Sequence, residues 1–298
     1  MAFIENDGVK IFYKETGSGA PILFLHEYGG DYRSWEPQVR YFSRNYRCIT
    51  MCNRGYPPSD VPPNPDQYGQ DINLADIIRV MDDLDLQNLI IIGLSMGAYN
   101  GLRLALSHPD RIRALVAASG GSGSNPDGRD AFRQEAQKLS EQFLEHEFMP
   151  ADGFANGPTR VQLKRKDPQG WEEFRAHLGE HPAVGAAFTL LNVQAERPSL
   201  YKFEDEFKAC RVPTLLMAGD EDEACLDVNV WLKRTMPTSG LYVAPKSGHL
   251  LNLEDPARFN HEIADFLRAV DAGTWPVRDP QSATFTGVGP AVANSEND

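Results

Sequence analysis

The sequence predicts an α/β fold with a mostly parallel central sheet, flanking helices and an inserted helical cap. Short aliphatic runs, such as residues 88–92, are typical of strands that are buried on both faces. Such runs alternate with amphipathic helical patterns, and this alternation indicates parallel strands joined by helices. The pattern is interrupted between residues 121 and 205, where we find no convincing buried strand and expect a cap.

Residues 1–120 are expected to form the first part of the α/β core. A weak alternation predicts a hairpin strand at residues 9–13, before the buried strands at 21–26, 46–51, 88–92 and 113–118. Helical patterns separate these strands, at 34–42, 70–84 and 98–106. The helix at 70–84 is predicted most clearly, because its apolar residues recur on one face, at Ile72, Ala75, Ile78, Met81 and Leu84.

The cap is predicted at residues 121–205, behind the glycine-rich linker 120–124. Its amphipathic segments are expected at 130–148, 169–178 and 182–194. The linker lacks the Gly-Lys-Ser/Thr ending of a phosphate-binding loop, so we interpret it as a hinge. Cap aromatics suggest an apolar pocket or simply the cap's own core, and they are Phe143, Phe148, Phe154, Trp171, Phe174 and Phe188.

The α/β pattern resumes at residue 206 and continues to about 272, which completes a discontinuous core. We expect strands at 212–219 and 240–244 and helices at 230–234 and 254–270. Residues 273–298 are polar and rich in Gly, Pro, Ala and Ser, so this tail is predicted to be mostly disordered or loosely packed through Trp275.

The charge of the chain limits its partners. Its 298 residues carry a formal net charge of −13, which argues against nucleic acid or an anionic membrane surface as partner. No apolar run approaches the roughly 20 residues of a membrane span, and the first residues lack the pattern of a signal peptide. The four cysteines have no metal-ligand spacing. We therefore expect free thiols in a cytoplasmic protein, with a homo-oligomer left open.

A candidate nucleophile follows the buried strand at 88–92. The sequence Gly93-Leu94-Ser95-Met96-Gly97 lies between that strand and the next helix, which is the setting of a nucleophile elbow. Its glycines permit a sharp turn around the serine. The motif without this setting is common by chance, and a structural turn is the alternative interpretation.

A serine hydroxyl needs a base, and the base needs an orienting acid. Asp222 follows the strand at 212–219, and His249 follows the last strand. Both would lie at the carboxyl edge of the parallel sheet, where sites collect. The neighbouring acids could instead make this a solvated acidic turn, and they are Asp220, Glu221 and Glu223. The other histidines are expected to be structural: His26, His108, His146, His177, His181 and His261.

With these motifs in order, residues 1 to about 270 resemble the α/β-hydrolase superfamily. The matching stretches are 26–30, 53–55, 93–97, 219–222 and 248–249, followed by 254–256 and Phe259 at the family's usual spacing. Among the subgroups of this superfamily, the chain is similar to the branch of 3-oxoadipate enol-lactonases, non-haem haloperoxidases and carbon–carbon-bond hydrolases. The resemblance implies the α/β-hydrolase fold with a lid over the site, and backbone N–H groups of Tyr28 and Met96 as an oxyanion hole.

The sequence departs from this family at two positions. Glu27 stands where a glycine is usual, and Asn53 stands where an aspartate is common, with an effect we expect to be structural. A carboxylate aimed at the oxyanion hole would oppose developing negative charge. We favour an ion pair of Glu27 with Arg33 or Arg54 that supports the loop. Alternatively, Glu27 contacts a polar group of the substrate or a catalytic water.

The predicted function is hydrolysis of a small carboxylic ester, lactone or related acyl substrate. Ser95 attacks, His249 transfers the proton and Asp222 orients the imidazole, with no metal and no cofactor expected. A carbon–carbon hydrolase of a vinylogous diketone is the nearest alternative. A ligand receptor that retains the triad is an alternative of a different class.

Overall fold

The computed structural model describes residues 2–283, which form one eight-stranded sheet with helices on both faces. The strands are β1 Ala2–Asn6, β2 Val9–Thr16, β3 Ala20–Leu25, β4 Tyr46–Met51, β5 Leu89–Leu94, β6 Ile112–Ala118, β7 Thr214–Gly219 and β8 Ser239–Ala244. Their spatial order is β1-β2-β4-β3-β5-β6-β7-β8. The pairs β1–β2 and β2–β4 are antiparallel and the others are parallel, which confirms the predicted fold class.

Helices connect the strands and cover both faces of the sheet. They are α1 Glu36–Phe42, α2 Gln70–Asp83, α3 Met96–Ser107, α4 Arg129–Phe143, α5 Ala151–Ala155, α6 Val161–Lys166, α7 Pro168–Leu178, α8 Ala183–Phe188, α9 Glu204–Ala209, α10 Leu226–Thr235, α11 Leu251–Glu254 and α12 Pro256–Asp271. Within residues 2–283 no helix combines the length and the apolar character that crossing a bilayer requires.

The alternation of side chains along β3 shows how the sheet separates two apolar layers. Ile22 and Phe24 pack with α1 and α12, whereas Leu23 and Leu25 pack with α2 and α3. Because successive side chains of a strand point to opposite faces, a fully aliphatic strand is buried on both sides. The layer that contains Ile22 continues into the helices between β6 and β7. We call residues 121–205 the helical insertion.

The helical insertion differs in detail from its prediction. The helix expected to reach residue 148 ends at Phe143, and Phe148 instead makes an antiparallel bridge to Pro182. Pro150 disfavours helical backbone at the residue before it. The segment expected at 182–194 divides into α8 and a π-helical stretch, Thr189–Ala195. Short helices α5 and α6 escaped the sequence patterns because each spans fewer than two turns.

The beginning of the predicted tail packs against the core through Trp275. Its indole Nε1 donates a hydrogen bond to the carbonyl oxygen of Thr238 at 2.8 Å, and its ring contacts that of Phe266 with 4.7 Å between centroids. Residues 280–283 then form a 3-10 turn. The prediction of disorder for residues 284–298 lies outside the described residues.

Candidate active site

Ser95 occupies the sharp turn between β5 and α3. Its φ of +53° lies in the left-handed region, a strain that costs about 1–3 kcal/mol. Its N–H donates to the carbonyl oxygen of Ala118 at 2.8 Å, and the side chain is 6% exposed. A Cβ on Gly97 would overlap the carbonyl oxygen of Leu25, and one on Gly93 would overlap that of Gly97. The expected strand–turn–helix arrangement is therefore present, and its glycines are sterically required.

Asp222 and His249 come together at the carboxyl edge of the sheet, on the loops after β7 and β8. Nδ1 of His249 lies 2.9 Å from Oδ2 of Asp222, and the two residues are 5% and 3% exposed. Burial would raise the pKa of Asp222, but the charge of His249 and its hydrogen bond, with smaller contributions from Cys225 and Ser119, hold that pKa below its ordinary value. Asp222 therefore remains a carboxylate that can orient the imidazole.

Two of the neighbouring acids, Asp220 and Glu221, have other partners. Asp220 accepts a hydrogen bond from the amide of Ser247 at 3.1 Å, and Glu221 lies 3.6 Å from the ammonium of Lys246. Among the acidic residues that the structure describes, Asp222 is the one that hydrogen-bonds to His249. The structure thus places the favoured acid, and not its neighbours, next to the histidine.

Glu254 holds the histidine loop from its other side. Its carboxylate accepts hydrogen bonds from the amides of Gly248 at 2.8 Å and Leu250 at 3.1 Å, the residues on either side of His249. The sequence indicated this position only through spacing after the histidine. No local pattern could show that the buried carboxylate turns back to the loop.

A cavity of about 240 Å³ joins the separate parts of the site. Ser95, His249 and Tyr28 line it from the core, and Phe132, Phe154 and Leu190 line it from the helical insertion. Of the six cap aromatics noted in the sequence, Phe154 reaches this wall. In residues 2–283 no hydrogen bond joins Ser95 to His249, although both reach the cavity. Catalytic hydrogen bonds are often long before substrate binds, so this geometry is compatible with a serine–histidine pair.

Of the two residues whose amides are expected to form an oxyanion hole, Tyr28 lines this cavity and Met96 directly follows Ser95, which also lines it. Met96 is the first residue of α3, so its N–H has no intrahelical acceptor. Among the described residues neither this amide nor that of Tyr28 donates a backbone hydrogen bond. The Tyr28 hydroxyl donates to the carbonyl oxygen of Ala186 at 2.9 Å, which ties this loop to the helical insertion. Two free amides near a serine can stabilise a developing oxyanion.

The ion pair favoured for Glu27 is wrong. Arg33 pairs with Asp31 and Glu180, and Arg54 pairs with Asp76, so neither guanidinium reaches Glu27. The buried Glu27 side chain folds beneath Gly30, and its Oε1 accepts a hydrogen bond from the Ser34 hydroxyl at 3.3 Å.

Burial raises the pKa of Glu27, which favours the neutral acid. The structure does not place Glu27 on the wall of the 240 Å³ cavity. Glu27 can therefore stand where the family usually has glycine, because its carboxyl group is not directed at the candidate oxyanion hole.

His26 supports the same loop, as a structural histidine would. Its Nδ1 lies 2.7 Å from the carbonyl oxygen of Glu27, and its Nε2 lies 3.0 Å from the amide nitrogen of Asn53. Burial lowers the pKa of His26, so the ring is neutral, with Nδ1 donating and Nε2 accepting.

Within residues 2–283, one group of side chains has the geometry to hold a metal. Asp222, Cys225 and His249 offer ligand atoms within 4.8 Å of one another. Burial raises the pKa of the Cys225 thiol well above its ordinary value, so the thiolate that a metal requires is disfavoured. The other two groups are hydrogen-bonded to each other. The arrangement suits an acid–base pair better than a metal centre. All four cysteines are buried free thiols, as predicted.

Sequence reasoning missed Arg160. This residue ends a 3-10 turn of the helical insertion, Pro158–Arg160, and it lines the same cavity as Ser95 and His249. The turn joins two short helices that have no periodic signal of their own. Only the packing of the insertion over the sheet brings this guanidinium to the candidate site.

The family model, the related sequences and the solved structures that match this chain agree on one fold family. Residues 20–256 match the family model described as the alpha/beta hydrolase fold. A putative 2-succinyl-6-hydroxy-2,4-cyclohexadiene-1-carboxylate synthase from Bacillus subtilis is 25% identical over 272 residues, covering 89% of this chain and 97% of the relative. A 2-hydroxy-6-oxononadienedioate/2-hydroxy-6-oxononatrienedioate hydrolase from Paraburkholderia xenovorans is 28% identical, covering 88% and 92%. The solved structure of Est816, described as an N-acyl homoserine lactone degrading enzyme, has 26% identity and a TM-score of 0.73, covering 89% and 100%.

Proposed function

This chain belongs to the α/β-hydrolase fold family, and we propose that within it the protein is a serine hydrolase of small carboxylic esters or lactones. The observation that carries the proposal is the 2.9 Å hydrogen bond between His249 and Asp222, at the cavity that Ser95 lines. A lactone-degrading enzyme among its structural neighbours supports the same reaction class.

The proposed reaction has two stages. The Ser95 oxygen adds to the acyl carbon while His249 takes the hydroxyl proton, and the proton then passes to the departing alcohol oxygen. A water, deprotonated by the same imidazole, hydrolyses the acyl-enzyme and releases the acid. Asp222 orients the imidazole throughout, and the amides of Tyr28 and Met96 stabilise the oxyanion, each contributing roughly 3 kcal/mol. Every proposed step uses groups of this chain.

The test is hydrolysis of p-nitrophenyl acetate, butyrate and octanoate by the wild type and by Ser95→Ala. We expect the variant to lose at least about 10³-fold in kcat while it remains folded. The chain-length preference then measures the space available to the acyl group. Equal rates in both proteins would overturn the assignment of the nucleophile.

Two other functions predict different results. A carbon–carbon hydrolase would cleave a vinylogous diketone and leave simple esters nearly untouched. A receptor would release its ligand faster than it turns the ligand over. For the protein's setting we propose a small-molecule substrate and a reducing compartment such as the cytoplasm, which suits four buried free thiols.

A further inference from the structure

Arg160 places a buried positive charge in the cavity of the candidate active site. Its exposed fraction is 3%, and it lines the cavity together with Ser95 and His249. Burial lowers the pKa of Arg160 to about 10. The guanidinium therefore remains charged at neutral pH.

This charge has no ion-pair partner in the described part of the chain. The nearby carboxylates that influence it are each engaged elsewhere: Glu27 by Ser34, Asp222 by His249, and Glu254 by the amides of Gly248 and Leu250. None of them comes within 4.0 Å of the guanidinium.

The neutral contacts of Arg160 leave part of its donor capacity unused. Nη1 donates to the Thr159 hydroxyl at 2.6 Å, and Nη2 lies 3.5 Å from the carbonyl oxygen of Tyr28. Nε is buried and has no acceptor. The rings of Phe154 and Phe174 lie 4.8 Å and 5.3 Å from the guanidinium carbon, which compensates part of the lost hydration.

A buried, unpaired guanidinium is costly, and proteins normally pair such a charge with a carboxylate. Arg160 also lines a cavity that is open to a ligand. The planar donor set of arginine matches a carboxylate better than it matches a neutral group. Apolar side chains, including Phe132 and Leu190, line the remainder of the wall and can cover a carbon skeleton.

We propose that Arg160 binds a carboxylate carried by the substrate, so that the enzyme acts on esters or lactones of acids that bear a second carboxylate. This inference rests on the proposed function. The second carboxylate does not react: Ser95 breaks the acyl C–O bond, the alcohol leaves with the proton from His249, and Arg160 holds the far end of the acyl chain. The net charge of −13 does not prevent this, because exposed charges are screened beyond roughly 10 Å at 0.1 M salt.

A purely structural role is the competing explanation. Arg160 would then donate a hydrogen bond from Nη2 to the carbonyl oxygen of Tyr28 and keep the loop that contains Tyr28 in position. A positioning residue affects charged and neutral substrates alike, whereas a carboxylate-binding residue affects their ratio. Substrate charge therefore separates the two roles.

The experiment compares monoethyl glutarate with ethyl pentanoate, which has a methyl group in place of the free carboxylate. Hydrolysis is followed by proton release at pH 7.5 for the wild type, Arg160→Met and Arg160→Lys. Arg197→Met is the matched control, because Arg197 is also buried and stacks on an aromatic ring, has no acidic partner within residues 2–283, and does not line the cavity.

We expect the wild type to favour monoethyl glutarate by at least about tenfold in kcat/KM, since a site built for a polar group discriminates against an analogue that lacks it. Arg160→Met should abolish this ratio, because it should lower kcat/KM for monoethyl glutarate at least about tenfold more than for ethyl pentanoate. Arg160→Lys should retain part of the ratio, and Arg197→Met should retain all of it. A wild type without charge preference, or an equal loss on both esters in Arg160→Met, would overturn the proposal.

A binding measurement tests the site separately from catalysis. Calorimetry with glutarate and with its neutral diamide uses Ser95→Ala alone and combined with Arg160→Met or Arg197→Met. Glutarate, but not the diamide, should bind to Ser95→Ala, and only the Arg160 change should weaken it by about tenfold or more. Failure of the wild type on both esters would overturn the proposed hydrolase. Equal binding of glutarate with and without Arg160 would overturn the carboxylate site alone.

Discussion

At the level of single residues, the ionised state of the Asp222 carboxylate depends on the adjacent His249. Asp222 is almost fully buried, and burial alone would favour its neutral form. The adjacent imidazole reverses this preference and keeps the carboxylate ionised. His249 contributes more to this compensation than Cys225 and Ser119, which also lower the pKa of Asp222.

Asp222→Asn is expected to lower kcat by about 10³–10⁴-fold with little change in fold. The amide has the same shape, but it supplies no charge for an imidazolium and permits the wrong tautomer. The lowered pKa of Asp222 means that its stabilising contribution is present above its unfolded-state pKa and is lost as the pH falls through the folded value.

Ester hydrolysis and denaturant unfolding of both proteins, from pH 3 to pH 8, check this prediction. The stability difference between them should shrink toward the acid end. A variant that retains more than a tenth of wild-type kcat would contradict the role proposed for Asp222.

Glu27→Gln is expected to stabilise the protein at neutral pH, on the order of 1 kcal/mol. The folded pKa of Glu27 is raised above 4.5, so its favourable contribution is complete below the unfolded-state value and is lost as the pH rises through the folded one. Glutamine has nearly the same shape and cannot ionise. Urea unfolding at pH 4 and at pH 7.5 should show a larger gain at pH 7.5, whereas a gain independent of pH would contradict burial of an ionisable acid.

At the level of elements, the turn between β5 and α3 depends on the absence of two side chains. Gly97→Ala should reduce the free energy of unfolding by at least about 3 kcal/mol, because the added Cβ would overlap the Leu25 carbonyl and β3 cannot move away within the sheet. Gly153→Ala is the matched control. No atom lies within 4 Å of its added Cβ, and alanine in α5 should stabilise by roughly 0.5–1 kcal/mol. Thermal and urea unfolding of both variants should show changes of opposite sign.

The strands could be predicted from sequence more completely than the helices of the insertion. Residues 89–94 are buried on both faces, so their composition alone indicates a central strand. In the insertion, α5 and α6 are short, and the chain around them contains Gly and Pro. These helices depend on packing with distant elements, which local periodicity cannot show.

At the level of the whole molecule, the candidate site is shared between two parts of the chain. The core supplies Ser95, His249 and Tyr28, and the insertion supplies most of the remaining cavity wall. The proposed triad could be predicted because each member follows a recognisable strand, whereas the oxyanion amides were expected from the family resemblance. Arg160 and the true surroundings of Glu27 could not, since they depend on how the insertion and the loop pack.

The position of the insertion on the core depends on a contact between two glycines. A Cβ on Gly185 of α8 would overlap the carbonyl oxygen of Gly55, so only glycine allows this approach. The next residue, Ala186, accepts the hydrogen bond from the hydroxyl of Tyr28, whose amide is proposed for the oxyanion hole. Displacement of α8 should therefore be transmitted to the loop that is proposed to stabilise the transition state.

Gly185→Ala is accordingly expected to lower kcat/KM for esters by about 10–100-fold, because misplacement by about 1 Å can have an effect of this size. The free energy of unfolding should fall by only about 1–3 kcal/mol, since the contact lies between the insertion and the core. Gly153→Ala lies in the same insertion, but its added Cβ would meet no atom within 4 Å, so this variant should leave kcat/KM unchanged. Steady-state kinetics and urea unfolding of both variants test the coupling. If Gly185→Ala loses stability but retains wild-type kcat/KM, the position of α8 on the core does not control the geometry of the loop that contains Tyr28.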